Sequence, residues 1–282
     1  MNLFTAILRV TLWSAALAWV ATSPVKGQQT EALSLESRVP LPNVKGRIDH
    51  LSVEVKGGRF FVAAVDNHTL EVLDLHLGQR IHMITDLAEP QGVFYDASTN
   101  RLFVACALDG VTEIFDGTTL QVLATVKFPD DADNVRYDSR SKNVIVGYAG
   151  AKQLRKRETG RGGLGFLDSN GKKISDIVMD AHPESFQLEK TGPRLFVNVP
   201  EKKEIEVVDL INGAVVARWP ITEENNFPMA LDETHHRLFV ASSQPPQLIV
   251  FDTETGKQIA SSEILQWTPG VRQANKTRLA VR

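Results

Sequence analysis

The segment Arg59-Phe60-Phe61-Val62-Ala63 decides the fold, because close variants of it return four more times, beginning at Arg101, Asn143, Arg194 and Arg237. A second segment, an apolar run that ends in aspartate, keeps step with it. Its aspartates are 42, 52, 41 and 43 residues apart, and the long interval marks an insertion in the third repeat: Asp74, Asp116, Asp168, Asp209 and Asp252. Internal repeats of this length are typical of solenoids and propellers.

Each repeat contains four short runs of β-branched and aromatic residues, separated by Gly, Asn or Asp. That composition is typical of strands joined by turns, and no later segment carries a sustained helical period. Four strands per repeat make the blade of an all-β propeller. We therefore predict five blades, at about 48–84, 90–127, 133–179, 183–221 and 226–264.

The recurring segments, together with Asp131–Asp138 and His182–Glu189, resemble the YncE-like family of YVTN-type β-propeller repeat proteins. The resemblance covers residues 38 to 264 and depends on five copies of the repeat. It implies an exported propeller of seven blades, from a family mostly without an assigned activity. It therefore implies a location and a shape and no particular reaction.

The two ends of the repeat array suggest an unfinished ring. Residues near 33–41 have the pattern of an outermost strand without a blade of its own, as used to close propellers. Arg278-Leu279-Ala280-Val281 lies 41 residues after Arg237 and reads as the opening of a sixth blade. We interpret the divergent tail, 265–282, as a truncated start of that blade, with a basic arm as the alternative. Open blade edges also favour self-association.

The N-terminus has the features of a secretion signal: Arg9, an apolar run over 10–20, and small residues before a cleavage point near Gly27-Gln28. We assign 1–27 to the signal peptide and 28–264 to the propeller, and we expect a periplasmic or secreted protein. An uncleaved membrane anchor is the alternative. The lone Cys106 lies on a strand and is expected to be buried.

The composition and the missing motifs disfavour several classes of partner and cofactor. The formal net charge is −3, which gives no basic field and hence no strong nucleic-acid signal. No Cys-x-x-Cys-His segment attaches haem, and no nucleophile elbow or phosphate-binding glycine loop is present. Cofactors stay unknown, with none expected, and no catalytic residue is assigned.

The loops that join each blade to the next should converge on one mouth of the central channel. Residues nine to ten positions before each repeated segment, and their neighbours, then face one another there. The ligand-binding candidates form a polar, acid-rich ring: Asp49, His50, Gln91, Asp133, Asn134, His182 and Glu184. The alternative is that these side chains only solvate turns. Since His50 and His182 fall on blades one and four, we expect them to lie far apart.

The insertion in the third repeat, between Gly150 and Gly163, is strongly basic and should lie at the same mouth. This basic flap carries Lys152, Arg155, Lys156, Arg157 and Arg161. It could contact an anion or the acidic ring, or it could be a solvated loop.

Two functions follow from this sequence. The first is a binding or interaction protein that takes an unknown protein or small polar ligand at the mouth. The alternative is a metal-assisted hydrolase or lyase on the same scaffold, with His50 or His182 as general base. The absence of a recognisable nucleophile arrangement favours the first.

Overall fold

The structure, a computed structural model, describes residues 35–153 and 158–264. The predicted signal segment over 1–27, the tail over 265–282 and the centre of the basic flap lie outside the described residues. Within the described ranges, no helix is long and apolar enough to cross a membrane.

The chain forms five antiparallel sheets of four strands, each built from consecutive strands. Outside the strands, the described residues include two single 3-10 turns, Val65–Asn67 and Pro200–Lys202. The strands are β1 Ile48–Glu54, β2 Arg59–Ala64, β3 Thr69–Asp74, β4 Gln79–Ile84, β5 Pro90–Asp96, β6 Arg101–Cys106, β7 Val111–Asp116, β8 Val122–Lys127, β9 Asp130–Asp138, β10 Asn143–Gln153, β11 Glu158–Leu167, β12 Lys173–Val178, β13 Phe186–Leu188, β14 Arg194–Val199, β15 Glu204–Asp209, β16 Ala214–Pro220, β17 Met229–Asp232, β18 Arg237–Ser243, β19 Pro246–Asp252 and β20 Gln258–Glu263.

This architecture confirms the predicted fold class: five four-stranded blades in a propeller arrangement. The predicted blade limits match the sheets closely, with small shifts at blade three, which begins at Asp130, and blade four, which begins at Phe186. Each repeated segment is the second strand of its blade, and the closing aspartate ends the third strand in four blades and directly follows it in blade three.

Packing between neighbouring blades holds the sheets together. Side chains alternate along the second strand, so that Phe61 faces blade two and Phe60 faces the opposite side, and both are almost fully buried. Between blades one and two, Phe61 and Val72 meet Leu102 and Val104. Among the described residues, comparable clusters join blades two to three, three to four and four to five. Cys106 is 1% exposed in the first of these interfaces, and burial raises the pKa of its thiol to about 12.

The outward face of blade five differs from the equivalent faces of the other blades. Its residues Phe239, Ala241, Leu248 and Val250 are only half-buried. Their counterparts in blade one, which pack on blade two, are fully buried. This difference shows how much the burial of a blade depends on the next one.

The predicted N-terminal outer strand does not form in the described residues. Residues 35–41 belong to no strand, although Val39 and Leu41 pack against Phe60 and Val62 on the free side of blade one. A strand requires a backbone partner, and an apolar contact does not. The segment therefore covers the side of the sheet without extending it.

The insertion in blade three is mostly β-structure, whereas a loop over 150–163 was predicted. Strands β10 and β11 have 11 and 10 residues, and their pairing continues to Gln153 opposite Glu158. The described parts of the insertion therefore extend strands β10 and β11 beyond the body of the sheet.

An acidic residue stands at the end of the first strand of each blade or directly after it. It stabilises the following turn through one of two hydrogen-bonding arrangements. Where it is glutamate, the longer side chain reaches the repeated arginine: Glu189 binds Arg194, whose Nη1 donates to Thr253 O of blade five at 2.6 Å. Glu54 and Arg59 repeat this arrangement toward Gly117 of blade two.

Where the acid is aspartate, it accepts hydrogen bonds from its own turn. Asp96 does so with Ser98 and Thr99, and Asp138 with Ser141. In blades two and five the arginine then pairs within its own blade, as Arg237 does with Asp252 at 2.9 Å. The recurring acids are thus turn residues, and two of them also connect blades.

This difference predicts unequal effects for the same substitution in two blades. Arg194→Ala removes charge-assisted hydrogen bonds from the buried Glu189 and the link to blade five, so we expect a loss of about 2 kcal/mol. Arg237→Ala, the matched control, removes an ion pair within one blade and should cost less than about 1 kcal/mol. Urea unfolding of both variants checks this prediction, and equal losses would contradict it.

Candidate functional site

The candidate site lies at the end of the blades where the chain passes from each blade to the next. The first strand of every blade starts at this end, and the turn between its second and third strands returns to it. The site is therefore built from loops that belong to different blades, are distant in sequence and lie close together in space.

His50, in the first strand of blade one, reaches across to blade three. Its Nε2 lies 3.6 Å from Asp133 Oδ1 and 3.3 Å from Asn134 Nδ2. The neighbouring Asp49 is held at 3.0 Å by Arg47 and lies 3.8 Å from His50. Three predicted positions from two blades therefore meet around one imidazole.

His182 and Glu184 extend this cluster toward blade four. His182 Nδ1 lies 3.7 Å from Glu184 Oε1 and 4.0 Å from Asp131 Oδ2. The Glu184 carboxyl hydrogen-bonds with that of Asp133, and Ser185 Oγ is 3.5 Å from Asn134 Nδ2. The expectation that the two histidines lie far apart is wrong, since the charges of both lower the pKa of Asp133.

The carboxyl groups of this cluster differ in the direction in which their pKa values move. Burial followed by the negative charges of Asp133 and Asp131 raises the pKa of Glu184 well above its ordinary value. Burial would raise the pKa of Asp133 as well, but its contacts with His50 and His182 keep it below its ordinary value. Burial and the charge of Asp133 raise the pKa of Asp49, against the effect of His50 and Arg47. Glu184 thus holds its proton to higher pH than an ordinary glutamate, and Asp133 ionises first.

The cluster contains polar atoms that are buried without a hydrogen-bond partner among the described residues: Asp133 Oδ1, Asn134 Oδ1 and His182 Nε2. Asp133 is 6% exposed and Asn134 is 1% exposed. Buried polar atoms are normally satisfied, because leaving one unpaired costs about 1–3 kcal/mol. Several together at one channel mouth indicate a site prepared for a hydrogen-bonding ligand.

A cavity of about 270 Å³ opens beside His182 and Glu184. Its other walls are Pro200 and Glu201 from the 3-10 turn of blade four, and Asn225 and Phe227 from the connection to blade five. The cavity thus combines two acidic side chains with two apolar ones. Its volume suits a small ligand or a single inserted side chain.

Two predicted residues make no hydrogen bond to this cluster in the described part of the chain, Gln91 and Arg161. Gln91 lies half-buried at the start of β5, and it makes no hydrogen bond to these side chains in the described part of the chain. Of the basic flap, Arg161 pairs with Asp180 at 3.1 Å. The structure therefore links one flap residue to an acid of the blade three to blade four connection.

Sequence reasoning missed the cavity walls Pro200 and Glu201. It considered only the connections between blades, whereas these residues lie in a turn within blade four. A usable signal existed, because the turn after every second strand faces the same end as those connections. Arg47 was missed because it precedes the repeated pattern.

The residues described by the structure include no group of three or more His, Cys, Asp or Glu side chains placed to hold a metal ion. They offer hydrogen-bond acceptors, two imidazoles and a carboxyl, that of Glu184, whose pKa is raised. Such an arrangement can bind cations or donor groups and can exchange a proton with a ligand.

No family model matches the chain, and no curated protein matches its sequence. The fold is similar to that of a solved chain from Kuenenia stuttgartiensis hydrazine synthase, with a TM-score of 0.62 and 15% identity. The match covers 72% of this chain and 64% of that one, so the chain spans less than two thirds of that neighbour. At this identity the similarity shows a β-propeller-like fold and nothing about activity.

The raised pKa of Glu184 predicts a pH-dependent benefit from Glu184→Gln. The unfolded chain ionises this carboxyl near its ordinary value of 4.5, while the folded protein retains the proton. The wild type therefore loses stability as the pH rises from about 4 toward the folded-state pKa, and the amide does not.

We expect Tm of Glu184→Gln minus Tm of the wild type to increase between about pH 4 and about pH 8. Calorimetry across this range measures it. Glu263→Gln on the exposed strand β20 is the control for loss of one carboxyl. A pH trend that is the same in both variants would contradict the assignment.

Proposed function

We propose that the protein is an exported β-propeller binding protein that takes a polar ligand or a segment of a partner protein at the acidic channel mouth. The observation that supports this function best is the buried acceptor Asn134 Oδ1, which has no hydrogen-bond partner among the described residues, in one acidic cluster with Asp133 and with Glu184, which lines a cavity. Acceptors without donors are what a binding site leaves for its ligand.

The same geometry gives less support to the alternative of a metal-assisted hydrolase or lyase. His50 and His182 each have carboxylate neighbours within 4.0 Å, which a general base would need. However, no ligand set for a metal ion is formed by the described residues. Ligand binding requires only the groups that are present.

Membership of the YncE-like family and export are parts of this proposal. They depend on the repeated segments and on the secretion-signal pattern of the first 27 residues. A propeller presented outside the cytoplasm would offer a rigid, preformed mouth to ligands there.

Ligand-dependent stabilisation tests the binding function. A panel of amino acids, polyamines, sugars, nucleotides and short basic peptides is screened by thermal shift. A ligand present at about 100 times its Kd should stabilise the protein by about 2.7 kcal/mol. The combined replacement of Asp133, His182 and Glu184 by Asn, Gln and Gln should abolish that shift, and Glu263→Gln should preserve it.

The binding proposal fails if the triple variant, shown to be folded by circular dichroism, keeps every shift that the wild type shows. It also fails if no member of the panel stabilises the wild type. In the first case the ligands bind elsewhere, and in the second the mouth binds nothing of these classes.

Export is tested separately by the mass of the mature protein. Expression of the full chain in a bacterial host should give a periplasmic protein that lacks residues 1–27. Intact mass spectrometry measures the loss of this segment. A full-length mass in the membrane fraction would instead support the uncleaved anchor.

A further inference from the structure

The cavity beside Glu184 has two unlike sides. Glu184 and Glu201 provide carboxyl groups, and His182 provides an imidazole whose buried Nε2 has no hydrogen-bond partner among the described residues. Pro200 and Phe227 provide an apolar wall. A ligand that matches both sides must have a polar head and a short apolar stem.

The charge of the site favours a cationic head. The charges of Asp133, Asp131 and Asp49 all raise the pKa of Glu184, so this end of the cavity is rich in negative charge. The carboxyl oxygens of Glu184 and Glu201, which line the cavity, accept hydrogen bonds when they are ionised. A group that donates several hydrogen bonds and carries positive charge would satisfy this environment.

A primary ammonium fits these constraints better than the other common cations. It is compact, has three donors and is joined to an alkyl chain. That chain can lie along Pro200 and Phe227, and the ring face of Phe227 can add a cation–π contribution. A bare metal ion would make no use of the apolar wall, and a guanidinium is a larger, planar group than the compact ammonium.

We propose that the cavity binds an alkylammonium group, with its head at Glu184 and Glu201 and its stem against Pro200 and Phe227. This inference depends on the proposed binding function of the mouth and names its ligand class. The group could be a free amine or the side chain of a lysine on a partner protein. Both share the same chemistry at the site.

Binding of such a head should expel a proton. A cation beside Glu184 favours its ionised form, so binding lowers the raised pKa of this carboxyl and releases a proton at any pH between the two values. Affinity should therefore increase as the pH rises toward the free-state pKa of Glu184. A neutral ligand would show no such dependence.

Isothermal titration of the full chain with n-butylamine and with Nα-acetyl-lysine methylamide tests the proposal. The matched neutral probes are n-butanol and Nα,Nε-diacetyl-lysine methylamide. We expect both amines to bind, both neutral probes to fail, and proton release to appear as a dependence of the measured heat on the buffer. A preference for the lysine probe identifies a protein side chain as the source, and a preference for butylamine identifies a free amine.

Substitutions test whether the amine binds at Glu184 and Glu201. Glu184→Gln should weaken amine binding about tenfold or more, and Glu201→Gln, on an exposed turn, should weaken it about threefold. Glu263→Gln should leave it unchanged. Because Glu201 lies outside the buried cluster, its variant keeps the test valid if Glu184→Gln folds poorly.

Equal binding of butanol and butylamine would overturn the inference, as would amine affinities that neither substitution changes. The binding function is judged independently by the ligand panel. A panel compound without an ammonium that binds the wild type and fails with the triple variant would keep that function and exclude this ligand class. If no compound binds in either experiment, both proposals fail.

Discussion

The constraint on which the structure depends is that every sheet is apolar on both faces. Phe60 and Phe61 point to opposite sides of the same strand, and both are buried. A face that is left to water loses its hydrophobic contribution, so each sheet is stabilised by every neighbour that covers it. Stacking follows from this requirement, and the rotation from blade to blade brings the first strands around a common channel.

The site is a consequence of the same stacking. Polar residues that would be ordinary turn residues in one blade come together because five first strands begin at one end. His50 of blade one, Asp133 of blade three and Glu184 of blade four are more than 40 residues apart in sequence and belong to one electrostatic cluster. Their pKa values diverge because these groups share a buried space in which two adjacent carboxyls cannot both ionise cheaply.

The repeat made most of the fold predictable, because apolar alternation and turn residues at fixed spacing specify strands and their order. Five copies fixed the blades to within a few residues. The segment at 35–41 was harder to predict, since its pattern shows which side chains are apolar and does not show whether a strand is available to pair with it. The insertion in blade three was hard to predict for the same reason. Its strands pair as far as Gln153 and Glu158, and its sequence, rich in glycine and charge, does not indicate this backbone pairing.

The candidate site was predictable as a set of positions and not as a geometry. Counting from the repeated arginine located His50, Asp133, Asn134 and Glu184, because equivalent positions occupy equivalent places around a propeller axis. It could not show that Gln91 makes no hydrogen bond to the described cluster, or that the pKa of Glu184 is raised, because both depend on distances between blades. The repeat shows which positions of each blade lie at this end. The chemistry of the site depends on which side chains differ between blades at those equivalent positions. One side of the cavity is charged and the other apolar, because blade four carries Glu184 at the position where blade five carries Phe227.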